Sequence, residues 1–275
     1  MSNSLQQAQA LYRQDRLSHF RDQFWIPKRA DGSEQLYFCG NSLGLQPKAA
    51  KAAVMEELTA WQELAVEGHF KGQRPWLSYN DVLRGPMAEL IGAKPQEVVL
   101  MNSLTVNLHL MMISFYRPHG QRRQILIEQQ SFPSDRYAVE SQIRMHGLNP
   151  DECIVEIAPS GDDRIIEESA IEDYLAAHGE EVALVLWPGV HYASGQFFDL
   201  TRIAKSAHTA GARCGFDLAH AVGNVPLNLD ESDVDFAVWC TYKYLNSGIG
   251  AVAGCFVNER HTERNDLTRL HGWWG

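Results

Sequence analysis

Short apolar runs alternate with amphipathic stretches over most of the chain after residue 98. The runs are rich in β-branched and aromatic residues and predict strands at residues 98–101, 125–127, 153–157, 182–187, 215–217, 234–239 and 254–257. Helical spacing of apolar residues between them predicts helices at 106–116, 166–177, 200–210 and in the stretch that ends near residue 145. Strands that alternate with helices and are apolar throughout predict an α/β fold with a mostly parallel sheet flanked by helices.

The amino-terminal part of the chain has a different pattern. Apolar positions at helical spacing predict a helix within residues 5–24, and residues 36–39 predict a short strand. Gly40 and Gly44 follow in a turn, where glycine permits a close approach of backbone to a ligand. Pro47 then precedes a predicted helix at residues 48–66. We find no repeat, linker or low-complexity segment.

Composition and charge exclude several classes of protein. The chain has 275 residues, 45% of them hydrophobic and 21% charged, with a net charge of −10. An acidic balance of this size argues against a nucleic-acid surface. No apolar run reaches the roughly 18 residues of a membrane span, and the polar amino-terminus does not resemble a signal peptide. The five cysteines form no Cys-x-x-Cys pair, which favours buried, reduced thiols in the cytoplasm.

The spacing of motifs also argues against some kinds of functional site. The eleven histidines show no zinc-binding spacing, so no metal site is predicted. The chain does not contain the Gly-x-Gly-x-x-Gly fingerprint of dinucleotide binding.

Two predicted strands are followed by side chains, a lysine and an aspartate, that could bind the same cofactor. Lys243 lies between Tyr242 and Tyr244 just after the strand at 234–239, and Asp217 ends the preceding strand. Alone, such a lysine is usually a surface residue and such an aspartate usually a helix cap. A desolvated lysine, however, can form a Schiff base, and a strand-end carboxylate can pair with a pyridinium nitrogen. Together they suggest pyridoxal 5′-phosphate (PLP).

Other candidate residues also follow predicted strands. In a parallel sheet the ligand lies beyond the carboxyl ends of the strands, so these residues should belong to one site. They are Phe132, Ser134, Asp135, Asp217, His220, Tyr242 and Lys243.

Two segments leave alternatives open. A hydroxyl residue in the stretch 102–105, such as Thr105, could cap the helix that follows or bind a phosphate at its free N–H groups, and one residue could not easily do both. The loop at 67–76 mixes His69 with arginine and aromatic residues, as loops that line sites often do. A single histidine in such a loop is more often structural.

Seven segments of the chain carry a resemblance to a known family: FCGNSLGLQPK (38–48), GHFKGQRPW (68–76), MNSLTVNLHLMM (101–112), SFPSDRYAVESQ (131–142), GFDLAHAVGN (215–224), CTYKYLNSGIG (240–250) and HGWWG (271–275). Taken together, they resemble the kynureninase family, PLP enzymes of the aspartate-aminotransferase-like fold. They span nearly the whole chain in the family order. The resemblance implies the large domain of PLP fold type I.

The resemblance also implies a role for each matching residue. Lys243 would hold PLP as a Schiff base and move protons at the substrate α-carbon, and Tyr242 would donate a proton to the departing carbon. Asp217 would pair with the pyridinium nitrogen, His220 would lie beside it, and Phe132 would stack on the ring. The remaining cofactor contacts would come from Leu104, Thr105, Pro133, Ser134, Asp135, Tyr242 and Trp273. Ser42 and His69 would face the substrate.

The implied reaction is the hydrolytic Cβ–Cγ cleavage of L-kynurenine, and of its 3-hydroxy form, to anthranilate (or 3-hydroxyanthranilate) and L-alanine. This reaction belongs to tryptophan catabolism and NAD precursor synthesis. Trp273 would reach the cofactor of a second subunit, which implies a homodimer with a shared site. The expected organisation is an amino-terminal helix and substrate-side turn at 1–47 and a PLP-binding large domain at 48–275, without the family's carboxyl-terminal small domain.

The sequence departs from the family pattern in two ways. Pro188 stands where some members carry a hydroxyl residue, so one polar contact to the cofactor would be missing. The family's carboxylate-binding arginine and substrate-side asparagine belong to the small domain, so no residue here is assigned to either role. Two alternatives therefore stay open: a catalytically silent PLP-binding or dimerisation domain, and another enzyme of the fold, such as a cysteine desulfurase, which needs a reactive cysteine.

Overall fold

The computed structural model describes residues 2–161 and 164–272. Its amino-terminal part contains α1 (Ser2–Gln14), a 3₁₀ helix (Ser18–Gln23), β1 (Phe24–Trp25), β2 (Gln46–Pro47) and α2 (Ala50–Leu64). Strands β1 and β2 pair antiparallel, with Phe24 opposite Pro47. This small ladder ties the two ends of the loop at residues 26–45 together.

A seven-stranded sheet forms the centre of the molecule. Its strands are β3 (Val98–Met101), β4 (Gln124–Glu128), β5 (Ile154–Ile157), β6 (Val182–Pro188), β7 (Arg213–Asp217), β8 (Phe236–Trp239) and β9 (Ala253–Val257). The order across the sheet is β3-β9-β8-β7-β6-β4-β5. The pairs β4·β5, β4·β6, β6·β7 and β7·β8 are parallel, whereas β9 runs antiparallel to β3 and β8. The predicted mostly parallel α/β sheet is therefore confirmed.

Helices connect the strands and cover the sheet. They are α3 (Tyr79–Ile91), α4 (Leu104–Phe115), α5 (Pro133–Met145), α6 (Pro150–Cys153), α7 (Glu168–His178) and α8 (Leu200–Thr209), with 3₁₀ turns at Ala65–His69, Trp76–Ser78, Pro95–Glu97 and Glu259–His261. None of the helices in the described part of the chain combines the length and the apolarity that crossing a membrane requires.

The core lies on both faces of the sheet. Alternate residues of β6 divide between two buried clusters: Val185 packs with Ile203 of α8 on one face, and Leu184 packs with Met112 of α4 on the other. Successive side chains of a strand point to opposite faces, so a strand covered on both sides must be apolar throughout. This explains the uninterrupted apolar run that predicted β6.

Two amino-terminal predictions differ from the structure. The helix predicted within 5–24 ends at Gln14, and the N–H of Leu17 donates to Asp15 Oδ1 at 2.9 Å. The Asp15 side chain thus takes a donor that would otherwise continue the helix. The strand predicted at 36–39 is wrong, because this stretch pairs with no neighbour and leads into a turn where the N–H of Ser42 donates to the Cys39 carbonyl at 2.9 Å.

Helix α3 was missed by the sequence pattern. It contains Pro86 in its interior, directly after Gly85. Both residues normally disfavour helix interiors. Burial of Ala88 and Ile91 against the sheet outweighs these local preferences.

Candidate active site

A cavity of about 380 Å³ lies at the carboxyl ends of β4, β6 and β7. Its walls come from loops and helix starts that are far apart in sequence but meet at this edge of the sheet. The predicted site residues that line it are Ser42, Leu104, Thr105, Phe132, Ser134, Asp135, Asp217, His220, Tyr242 and Lys243. The structure thus brings most of the predicted residues into one cavity.

A larger hollow of about 540 Å³ lies at the opposite, amino-terminal end of the parallel strands. Its arginines are already engaged: Arg122 donates to the carbonyls of Val182 and Ala210, and Arg260 pairs with Asp233. Side chains that satisfy backbone and carboxylate groups are structural here. We therefore place the candidate active site in the smaller cavity.

Lys243 is the central basic group of this cavity. The turn after β8 holds it, because the N–H of Asn246 donates to the Lys243 carbonyl at 3.2 Å and the Thr241 hydroxyl donates to the Val252 carbonyl at 2.6 Å. Its side chain is 9% exposed, and Nζ lies 3.0 Å from His220 Nε2 and 5.8 Å from the centre of the Phe132 ring. A buried lysine at the mouth of a parallel sheet can act as a nucleophile or a base.

His220 provides the matching acceptor. Burial, and then the charge of Lys243, lower the pKa of His220. The imidazole is therefore neutral at neutral pH, and its Nε2 accepts a hydrogen bond from the Lys243 ammonium. This contact satisfies an otherwise poorly solvated cation.

Asp135 and Asp217 form a carboxyl pair at the other end of the cavity. Burial raises the pKa of Asp135 to about 10, and the charge of Asp217 and a hydrogen bond between the two side chains act in the same direction. Asp217 Oδ1 also accepts from the N–H of Ala219 at 2.6 Å. Asp135 therefore keeps its proton at neutral pH, because two carboxyl groups in contact cannot both ionise easily.

One atom of this pair suggests a bound cation. Asp135 Oδ1 is buried and has no hydrogen-bond partner among the described residues. Buried polar atoms are normally paired, so an exception at a cavity wall indicates a missing donor. A protonated ring nitrogen supplies such a donor and a positive charge.

The starts of α4 and α5 meet at a third wall. Ser103 caps α4, because its hydroxyl accepts from the N–H of Val106 at 3.4 Å. The cap of α4 is therefore not Thr105, whose hydroxyl lies 3.2 Å from that of Ser134. Two hydroxyls beside two helix amino-termini form a setting that favours an anion such as a phosphate.

The Asn41–Leu45 turn brings Ser42 to the cavity. The N–H of Gly44 donates to the Tyr242 carbonyl at 2.8 Å. A Cβ at position 44 would collide with the Lys243 carbonyl and the Asn246 side chain. Glycine is required there by close backbone packing, which fixes Ser42 beside the site.

Tyr242 keeps its proton in this environment. Burial, followed by interaction with Cys240, raises the pKa of Tyr242 to about 12. Its phenol is thus an acid at neutral pH, as a proton donor must be.

Two predicted residues lie elsewhere. His69 packs edge-on against Trp76, with ring centres 5.6 Å apart, and does not line the cavity. Pro133 is the first residue of α5 and does not line the cavity either, whereas Pro188, which lacks the hydroxyl that some relatives carry, does. Trp273 lies outside the described residues. The roles suggested for His69, Pro133 and Trp273 stay predictions.

Sequence reasoning missed several residues of the cavity wall, among them Tyr192 and Glu128. Tyr192 stands edge-on to Phe132, with ring centres 5.3 Å apart, and Glu128 is the buried last residue of β4. Tyr192 follows the predicted strand at 182–187, and this was the available indication for it. No comparable indication distinguished Glu128 from an ordinary strand end.

Superpositions with solved structures identify the fold. A cysteine desulfurase from Thermococcus onnurineus NA1 superposes with a TM-score of 0.63 at 20% identity, over 82% of this chain and 54% of that one. A C-DES mutant with glycine covalently linked to its PLP cofactor gives a TM-score of 0.71 at 16% identity, over 92% of this chain and 63% of that one. These likenesses show the large-domain architecture of PLP fold type I.

The sequence comparisons define the family. The family model "Aminotransferase class-V" matches residues 37–259, so the chain belongs to the class V aminotransferase family. It is 57% identical to the kynureninase of Stenotrophomonas maltophilia (strain K279a) over 97% of this chain. It is 56% identical to the kynureninase of Xanthomonas campestris pv. campestris (strain B100) over 98% of this chain. The chain spans 62% and 63%, respectively, of the length of these two relatives.

Proposed function

We propose that this protein is a kynureninase, a PLP-dependent hydrolase that converts L-kynurenine and water to anthranilate and L-alanine, and its 3-hydroxy form to 3-hydroxyanthranilate. The observation that carries the proposal is the cavity with Lys243 at one side and the Asp135–Asp217 pair at another. Identity of 57% to a kynureninase supports the choice of reaction within the family.

The residues present fit PLP. The Asp135–Asp217 pair would accept the protonated ring nitrogen, and Phe132 would lie against the ring face. Thr105 and Ser134, whose hydroxyls are 3.2 Å apart beside two helix amino-termini, would hold the phosphate, together with the backbone at Leu104. Lys243 would bind the aldehyde carbon through Nζ.

The two proton transfers of the cleavage have candidate residues. PLP would supply an electron sink for the substrate α-carbon. Lys243 would take the α-proton, with neutral His220 accepting a hydrogen bond from Nζ and so orienting it. Tyr242, kept protonated by its raised pKa, would donate a proton to Cβ, which remains with the alanine product when the aryl acid departs. Water adds to the γ-carbonyl carbon, the Cβ–Cγ bond breaks, and the aryl acid leaves.

The substrate side and the assembly belong to the same proposal. Ser42 at the cavity wall and His69 would face the substrate, while Trp273 would reach the cofactor of the second subunit in a homodimer with a shared site. Residues 1–47 would form the amino-terminal helix and substrate-side turn, and residues 48–275 the PLP-binding domain. The reaction would take place in the cytoplasm, within tryptophan breakdown or NAD precursor synthesis.

The cysteines do not favour a desulfurase. Cys153, Cys214, Cys240 and Cys255 are buried, and burial raises the pKa of each of these thiols. Cys39 is exposed, contrary to the expectation of buried thiols, because its segment is a loop. It does not line the cavity.

The test uses the visible spectrum of the purified chain with PLP, wild type against Lys243→Ala. We expect a visible absorption band that requires Lys243, shifts on addition of L-kynurenine and is followed by the fluorescence of anthranilate. A Lys243-dependent band that never responds to kynurenine would leave a silent PLP-binding domain. Absence of any Lys243-dependent band would overturn the site.

A further inference from the structure

Glu128 is a buried acid that the proposed reaction does not use. It is the last residue of β4, is 6% exposed and lines the same cavity as Asp135 and Asp217. Among the described residues, no lysine, arginine or histidine lies within ion-pair distance of its carboxylate. Buried carboxylates are normally paired with a cation or kept neutral.

The surroundings of Glu128 favour its neutral form. Burial raises the pKa of Glu128 to about 8, and the charges of Asp217 and Glu156 act in the same direction. Its own N–H and the Ser131 hydroxyl oppose the shift but do not cancel it. The other titratable groups at the cavity are Asp135 on α5, Asp217 and His220 at and after the end of β7, and Tyr242 and Lys243 after β8.

An acid in this position destabilises the protein without cofactor. Above the ordinary pKa of glutamate, about 4.3, the unfolded chain releases the proton while the folded chain keeps it. Folding stability therefore falls as pH rises from about 4 to 8. A polar group that weakens the fold in this way is typical of a functional site.

We propose that Glu128 is a positioning residue of the cofactor site: a third carboxyl behind the Asp135–Asp217 pair that releases its proton to solvent when the cationic ring nitrogen of PLP binds there. The inference rests on the proposed function, because it needs a bound pyridinium. A positive charge nearby favours the ionised carboxylate. Glu128 then contributes part of the negative charge that keeps the ring nitrogen protonated.

The first test counts protons released on PLP binding. Isothermal titration calorimetry at pH 7 in two buffers of different ionisation enthalpy gives this number for wild type and for Glu128→Gln. We expect the wild type to release more protons per site than Glu128→Gln does, with a difference of roughly half a proton or more. Equal proton counts would overturn the inference.

Glu156→Gln is the matched control. Glu156 lies on the adjacent strand β5 and pairs with Arg136 at 2.6 Å, and it does not line the cavity. The charge of Glu156 is the smallest of the causes that raise the pKa of Glu128, so the Glu156→Gln protein should release nearly as many protons as the wild type. If Glu156→Gln lowers the count as much as Glu128→Gln does, the effect is one of general charge near the sheet edge, and the assignment to Glu128 is wrong.

A second measurement does not depend on catalysis. The thermal midpoint of the cofactor-free Glu128→Gln protein should exceed that of the wild type by several degrees at pH 8 and match it near pH 4. The increase that PLP adds to the midpoint at pH 8 should be smaller in Glu128→Gln. A lower midpoint than wild type at pH 8 would contradict the inference and assign Glu128 a purely structural role.

The two proposals fail in different ways. If Glu128→Gln does not fold, Glu128→Met also removes the titrating group at similar size and should give the same reduced proton count. If wild type forms no Lys243-dependent band with PLP, both the proposed function and this inference are wrong. If the band forms and the proton counts are equal, only the inference about Glu128 is wrong.

Discussion

Lys243 Nζ and His220 Nε2 lie 3.0 Å apart inside a cavity at the carboxyl edge of the sheet. The two residues are brought together by neighbouring strands, since Lys243 follows β8 and His220 follows β7, which pair in parallel. His220 has a lowered pKa and is neutral, so it accepts a hydrogen bond from the lysine without adding charge. The contact holds the lysine nitrogen at a fixed point in the cavity.

Replacing His220 should therefore slow the reaction of Lys243 with PLP. In His220→Leu the lysine ammonium loses its acceptor, and we expect the covalent band to form roughly ten- to a hundredfold more slowly, in line with the loss of a hydrogen bond to a charged group. His220→Gln retains an acceptor oxygen and should restore part of the rate. Stopped-flow absorbance measures both. Equal rates of band formation for His220→Leu and His220→Gln would show that this hydrogen bond does not affect the reaction of Lys243 with PLP.

Replacing Asp217 or Asp135 by asparagine should weaken PLP binding to different extents. Asp217→Asn removes the charged member, and we expect the affinity for PLP to fall by roughly a hundredfold, as for a broken buried charge pair. Asp135→Asn replaces a group that is already protonated, so its effect on affinity should be less than about tenfold. Titration of the visible band gives both dissociation constants. Equal losses would mean that the proton is not held on Asp135.

Asp135→Asn should also stabilise the cofactor-free protein at alkaline pH. The pKa of Asp135 is raised to about 10 in the folded state, against about 3.9 when unfolded. The folded state thus retains a proton that the unfolded state loses, so stability falls as pH rises from about 4 towards 10. Thermal unfolding at pH 8 should show a higher midpoint for Asp135→Asn than for wild type, and the difference should vanish near pH 4. A midpoint at pH 8 no higher than that of wild type would contradict this.

Much of the site was predictable because parallel strands impose a geometry. Asp217 and Lys243 each follow an apolar run, and the carboxyl ends of such runs meet at one edge of the sheet. Ser42 was predicted from the resemblance to kynureninases, because no local sequence pattern relates it to residues about two hundred positions away. In the structure the hydrogen bond from Gly44 to Tyr242 makes that connection.

Other features depend on tertiary context that local patterns do not carry. Helix α3 contains Pro86 and forms because its buried face packs on the sheet. Glu128 ends β4 as many polar residues end strands, and only its burial beside Asp217 distinguishes it. The raised pKa of Asp135 likewise depends on its burial beside Asp217, which the sequence does not show.

Gly44→Ala should disturb the site through the backbone. The added Cβ would collide with the Lys243 carbonyl, and we expect a loss of roughly 1–3 kcal/mol in stability from overpacking, with weaker PLP binding. Gly40→Ala is the control, because a Cβ there meets nothing within 4 Å. Chemical unfolding and the visible titration measure both effects. A Gly44→Ala protein that behaves like Gly40→Ala would mean that the turn is not packed against Lys243.

Asp235, at the amino-terminal end of β8, should determine stability in acid. It is fully buried and accepts from the N–H of Cys214 at 2.7 Å, from Arg260 and from two histidines. These partners hold the pKa of Asp235 well below its usual range, although burial alone would raise it. The stability that ionised Asp235 contributes is present above about pH 4 and is lost as pH falls further.

We expect Asp235→Asn to lower the free energy of unfolding by about 3 kcal/mol at pH 7, and the exposed Asp233→Asn to lower it by less than about 1 kcal/mol. Urea unfolding of both proteins at pH 7 and pH 3 checks this, and equal losses at pH 7 would contradict it.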